Sequence, residues 1–174
     1  EGGKELLLVG GYSGVGKTSL VQEIHKPTTE KRGYFVTGKF DQFKRNIPYF
    51  SFIEAFNDLI TSLLSQNEEQ NEFWRERLTS VLGDNAGLIV EVIPYLEKII
   101  GKQPAVPKLQ PAESEFRFRS VMLDFVYAFS TQERPLVIFL DDLQWADLPS
   151  LNLIERILVT PGESNILIIG AYRD

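Results

Sequence analysis

Residues 11 to 18 read GYSGVGKT and match the spacing G-x-x-x-x-G-K-[ST] completely. Glycines at 11, 14 and 16 free the main chain to curl, so that successive N–H groups point inward at phosphate oxygens. A side chain at Gly14 or Gly16 would obstruct either the curl or the ligand. Lys17 has the reach and charge for β- and γ-phosphates, and the Thr18 hydroxyl suits magnesium. Gly11, Tyr12, Ser13, Gly14, Val15, Gly16, Lys17, Thr18 and Ser19 are therefore the expected nucleotide-binding residues, with ATP or ADP and Mg2+ as ligands.

A second constellation agrees with the first. LVIFLDD, residues 136 to 142, is an apolar run ending in two carboxylates, the form of a Walker B strand. Asp141 would hold the metal together with Thr18, usually through water. Asp142 would lie near the water that attacks the γ-phosphate and polarise it. Acids commonly end strands at turns, so the pair gains its weight from GYSGVGKT. A last apolar run, NILIIGAYRD, ends at Arg173, which at the C-terminal edge of an open sheet can pair with the γ-phosphate. The expected catalytic residues are Asp142, Lys17 and Arg173.

Such chemistry needs strands that stop where the polar residues begin. Leu6 to Val9, Gly33 to Thr37, Leu136 to Leu140 and Ile166 to Ala171 are short, apolar and without strict alternation, the pattern of strands covered on both faces of a parallel sheet. Helical patterns lie between them. Ser51 with Glu54 predicts a capping box, followed by Phe52, Ile53, Phe56, Leu59, Ile60, Leu63 and Leu64 at helical spacing. Phe73 to Leu82 and Leu88 to Ile100 predict further helices, the second bent or ended by Pro94. The proline-bearing stretch from Lys102 to Pro111 reads as an extended connector, and Phe118, Val121, Met122, Phe125, Val126 and Phe129 mark one face of a long helix after it. An α/β fold with a parallel sheet follows, with a helical insertion between the second and third strands.

The composition removes several classes of function. A net charge of -6 disfavours a nucleic-acid partner, because binding to DNA or RNA rests on basic groups that neutralise phosphates. There is no cysteine, which excludes disulfides, thiolate metal sites and cysteine nucleophiles, and the one histidine, His25, excludes a histidine metal cluster. The apolar runs are too short to cross a bilayer, so no membrane contact is expected of this segment and the expected location is cytoplasmic. Guanine-reading N-K-x-D and T-K-x-D sequences are absent, which argues against a GTPase. The chain opens at Glu1 almost on a core strand and stops at Asp174 just after another, so the expectation is a single ATPase core over residues 1–174, cut from a larger protein.

Taken together, GGYSGVGKTSLV, GKFDQFKRNIPY, PLVIFLDDLQWADLPSL and ILIIGAYRD resemble the AAA-type ATPase module of large bacterial serine/threonine and histidine signalling kinases. That group belongs to the signal-transduction ATPases with numerous domains. The resemblance implies a P-loop NTPase three-layer sandwich of the AAA/ASCE type, with the strands of Asp141 and Arg173 set beside the P-loop strand and with the helical lid absent. It implies an ATP-hydrolysing regulatory switch of low turnover in isolation, whose partners are ATP and the other domains of a parent kinase, with nucleotide-dependent self-association as a further expectation. Arg45 falls where the family carries a basic residue. A different class of function also fits: a nucleotide-binding scaffold that relays signals or assembles kinase domains with negligible turnover. A small-molecule phosphotransferase is disfavoured, since no acceptor-binding motif stands out and the acidic pair suits attack by water.

Overall fold

The computed structural model describes residues 3–11, 17–30 and 32–173, apart from the side chains of 17, 18, 20–22 and 29. In chain order the elements are β1 (Lys4–Gly10), α1 (Lys17–Glu30), β2 (Tyr34–Lys39), α2 (Phe50–Leu64), α3 (Glu68–Leu82), α4 (Ala86–Val92), α5 (Glu97–Ile100), α6 (Pro111–Ala128), β3 (Leu136–Asp141), α7 (Leu148–Val159) and β4 (Ile166–Tyr172). The helices α2 to α6 fill the chain between β2 and β3. Contacts group the residues into two compact units, 1–55 with 129–174, and 56–128.

The first unit holds the sheet. Its strands run in the order β1-β4-β3-β2 and every neighbouring pair is parallel. β4 therefore lies between the strand that precedes GYSGVGKT and the strand that ends in Asp141. All residues of β3 from Leu136 to Leu140 are buried, so both of its faces are covered, and this is why the sequence shows no alternation there. Val137, Phe139, Ile169 and Ala171 form one face of the core, with Ile24 of α1 packed against them. Burying such side chains is worth about 1.5 to 3 kcal/mol each.

β1 departs from expectation. Leu6, Leu7 and Leu8 are 40%, 44% and 56% exposed, although they read as a strand covered on both faces. The cause is its place at the sheet edge, where β4 is its one strand neighbour among the described residues.

The start of α2 also differs. Ser51 does not cap the helix with Glu54; the helix begins at Phe50, and the fully buried Ser51 hydroxyl donates to the Lys39 carbonyl at 2.8 Å. That bond exists because Gly38 has no side chain. A Cβ there would lie 2.5 Å from the Ser51 carbonyl oxygen, so only glycine lets β2 approach the helix start this closely.

The second unit is helical. α3 is capped by the Asn67 side chain, which accepts from the Gln70 N–H, and Glu68 and Glu69 in the first turn complement the helix dipole. Pro94 lacks an amide hydrogen and ends the helical run after α4, so a 3₁₀ turn at Pro94–Leu96 leads into the short α5. α3 packs on α5 and α6, burying Trp74, Leu78 and Met122. The Phe56 and Phe125 rings meet with centroids 5.4 Å apart. No helix among the described residues is long and apolar enough to cross a membrane.

Candidate nucleotide site at the sheet edge

Parallel strands deliver all their C-terminal ends to one edge, so Gly10, Lys39, Asp141 and Tyr172 arrive together. Register makes the neighbours specific: Lys39 stands beside Asp141, and Gly10 beside Tyr172. Gly11 donates its N–H to the Tyr172 carbonyl at 3.3 Å, and α1 opens at Lys17. Of the expected nucleotide-binding residues, Tyr12, Ser13, Gly14, Val15 and Gly16 lie outside the described residues, as do the side chains of Lys17 and Thr18; Ser19 is exposed on α1.

Beyond β3 the chain turns sharply. Asp142 takes the left-handed conformation, φ 54° and ψ 44°, which costs a residue with a Cβ free energy but which aspartate tolerates better than most. A 3₁₀ turn over Leu143–Trp145 follows, and then Asp147 caps α7. The turn rests on β4 because Gly170 leaves room for the Leu143 side chain, which a Cβ at that position would strike.

These turns drive the Asp142 carboxylate inward, where it is 5% exposed. A buried carboxylate needs partners. Arg173 grips it as a fork, Nε to Oδ1 at 3.0 Å and Nη2 to Oδ2 at 3.3 Å. Lys39 Nζ stands 3.5 Å from Oδ2, and the Gln144 amide donates to Oδ1 at 3.0 Å. Burial alone pushes the Asp142 carboxyl up, but the Gln144 hydrogen bond and the charges of Arg173 and Lys39 outweigh it and hold the group below the usual carboxylate range. Asp141 is half-buried, and its Oδ1 accepts from the Asp142 N–H at 2.9 Å.

A cleft of about 490 Å³ opens beside Asp142, walled by Lys39, Phe43, Lys44, Phe50, Trp145 and Arg173 among others. One wall is residues 40–44, part of the GKFDQFKRNIPY stretch at 38–49. It is tied down locally: Asp41 accepts from the Phe43 N–H, Lys44 lies 4.0 Å over the Phe50 ring, and the Tyr49 N–H donates to Asp147 Oδ1. Tyr49 is held at φ 60°, and Arg45 is exposed in the same segment.

The structure thus brings the expected residues Asp142 and Arg173 into direct contact with each other. Sequence reasoning missed Lys39, Gln144 and Asp147. Lys39 and Gln144 sit inside the two stretches GKFDQF and DDLQWAD, but their partners are set by strand register and turn geometry, which local spacing does not show.

The profile described as AAA ATPase domain matches residues 1–169. The hybrid signal transduction histidine kinase G of Dictyostelium discoideum is 43% identical over 91% of this chain, and histidine protein kinase 1 of Candida albicans is 26% identical over 90%. The peroxide stress-activated histidine kinase mak2 of Schizosaccharomyces pombe is 26% identical over 86%. The chain spans 4% of the length of the first and 7% of each of the others. These relatives are eukaryotic, so the resemblance to signalling kinases stands while its restriction to bacteria has no support in them. No solved structure matches the chain.

Proposed function

Because the chain belongs to the AAA ATPase domain family, we propose that it binds ATP with magnesium and hydrolyses it as the regulatory switch of a larger signalling kinase. The observation that carries this reading is the Asp142 carboxylate, buried on a left-handed turn at the same sheet edge as the start of α1. The names of the relatives, all histidine kinases, support the parent's class.

Lys17 and the main-chain N–H groups of the GYSGVGKT stretch take the phosphates, on the strength of the motif. Among the described residues no group of three or more metal-ligating side chains converges. Asp141, half-buried with one oxygen oriented by the Asp142 N–H, offers with Thr18 and water the sparse oxygen set that magnesium accepts. When bound, the cation neutralises charge that builds on the β- and γ-phosphates.

The chain's own task is to orient water and take its proton. Water's oxygen bonds to the γ-phosphorus, the bond from that phosphorus to the bridging oxygen breaks, and the products are ADP and phosphate. Asp142 receives the proton. With Arg173 and Lys39 on it, Asp142 is a weak base. Arg173 is half-exposed, and exchanging its carboxylate for the γ-phosphate would release the base only when ATP is present.

A second reading is favoured by the same contact. If the fork on Asp142 never opens, the module is a nucleotide-binding scaffold with negligible turnover. Single-turnover phosphate release from the parent protein, run beside an ATP titration, separates the two. For the switch, Asp142→Asn lowers the release rate about 10²- to 10⁴-fold while affinity stays within a few-fold. Equal rates in mutant and wild type would establish the scaffold.

A further inference from the structure

Asp142 is held in two different ways, and they have different consequences. Arg173 and Lys39 are long cations whose side chains are 50% and 64% exposed. Their contacts are screened by salt and readily exchanged for another anion. Gln144 is neutral, shorter, and fixed at both ends. Its Nε2 donates to Asp142 Oδ1 at 3.0 Å, while its Oε1 accepts from the Arg173 main-chain N–H at 3.2 Å. Only one orientation of the amide satisfies both partners, because a carboxylate must receive a hydrogen and an N–H must give one.

We propose that Gln144 is the positioning residue of this site: it pins Asp142 Oδ1 to the main chain at Arg173, so that Oδ2 alone is released to water when the Arg173 and Lys39 side chains leave. The two oxygens are already unequal. Oδ1 carries the shorter bonds from Gln144 and Arg173 Nε, both at 3.0 Å, whereas Oδ2 has the Arg173 Nη2 contact at 3.3 Å and Lys39 at 3.5 Å. A base set free on a left-handed turn would otherwise rotate about its side chain and lose its aim. The Gln144 bridge keeps one oxygen in place without adding a positive charge that would suppress basicity. The same bridge ties the turn after β3 to the end of β4, so a displacement of Arg173 is passed to the carboxylate it serves. Gly170 supports this placement, since it lets Leu143 sit on β4 and brings the next residue within reach of the Arg173 N–H.

The catalytic half of this inference rests on the hydrolysis proposed above; the positioning half does not, and two measurements keep them apart. The first is amide hydrogen exchange at the Arg173 N–H in the 174-residue protein. Gln144→Ala removes the acceptor of that N–H and should speed its exchange tenfold or more, whereas Gln144→Glu keeps an acceptor there, loses the donor to Asp142 and should leave exchange within two-fold. The second is single-turnover phosphate release, which both variants should slow tenfold or more with ATP affinity within two-fold. A wild type that releases no phosphate while Arg173 exchange responds as stated would defeat the hydrolysis reading and keep the bridge. Arg173 exchange unmoved in Gln144→Ala, with circular dichroism showing the variant folded, overturns the proposal whatever the rates do.

Discussion

Removing Arg173 should destabilise the first unit in a way that depends on pH, and the size follows from the geometry. Asp142 is 5% exposed and its Arg173 fork supplies contacts at 3.0 and 3.3 Å. Breaking a fully buried ion pair costs about 3 to 5 kcal/mol, but an exposed pair is worth roughly 0 to 1. Here the arginine is half-exposed, and Lys39 and Gln144 remain on the carboxylate, so Arg173→Ala should cost about 1 to 2 kcal/mol at neutral pH, between those limits. The sign with pH is set by the depressed Asp142 carboxyl. Such a group contributes stability that is present above its unfolded value, near about 4, and lost as pH falls through the lower folded value. The penalty of Arg173→Ala should therefore be full at pH 7 and shrink toward zero in acid, where Asp142 is protonated in both proteins. Urea unfolding of the wild type, Arg173→Ala, Asp142→Asn and the double variant forms a complete cycle. A coupling below about 0.3 kcal/mol, within the error of additivity, or a penalty that does not change with pH, would refute the claim that Arg173 neutralises Asp142.

Three other outcomes follow from the same structure. Lys17→Ala should leave the fold intact and weaken ATP binding roughly tenfold or more, since a charge-assisted phosphate contact is worth about 1.5 to 3 kcal/mol; calorimetry checks it. If Asp141 holds magnesium as proposed, Asp141→Ala should reduce the difference in ATP affinity measured with and without magnesium, and an unchanged difference would leave Asp141 as a strand-end acid only. Gly38→Ala should destabilise by about 1 to 3 kcal/mol in denaturant melts, since the new methyl meets the Ser51 carbonyl, which is main chain and cannot rotate away.

The fold class was legible because strands covered on both faces run apolar without alternation. Val137 to Leu140 are apolar without alternation, and the chain breaks the run at Asp141 as soon as the strand reaches the edge. Pro94 was equally plain, since its missing amide hydrogen acts wherever it stands. What stayed hidden depends on neighbours distant in sequence. The Ser51 hydroxyl reads as a cap in isolation, but it lies inside α2 and donates to the Lys39 carbonyl of β2 instead. The exposure of Leu6 to Leu8 follows from strand order, which the apolar run of β1 does not encode. Lys39 meets Asp142 only because β2 and β3 are adjacent and in register at their ends.

That adjacency also explains where backbone strain is placed. Asp142 and Tyr49 both hold a left-handed conformation although neither is glycine, and they stand on two segments that border one cleft. Each is fastened by a side chain from the stretch after β3: Gln144 donates to the Asp142 carboxylate, and Asp147 accepts from the Tyr49 N–H while its other oxygen takes the Ser150 hydroxyl. Strained residues persist only where their surroundings over-determine them. Asp147 is buried and serves three donors, the N–H of Tyr49 and the N–H and hydroxyl of Ser150, so it cannot release one segment without disturbing the first turn of α7. Gln144 has a weaker hold, one bond to the Asp142 carboxylate and one from the Arg173 N–H. The two anchors are thus graded. Tyr49 is fastened more firmly than Asp142, and on the function proposed above motion at this edge should begin at Arg173 and end at Gln144.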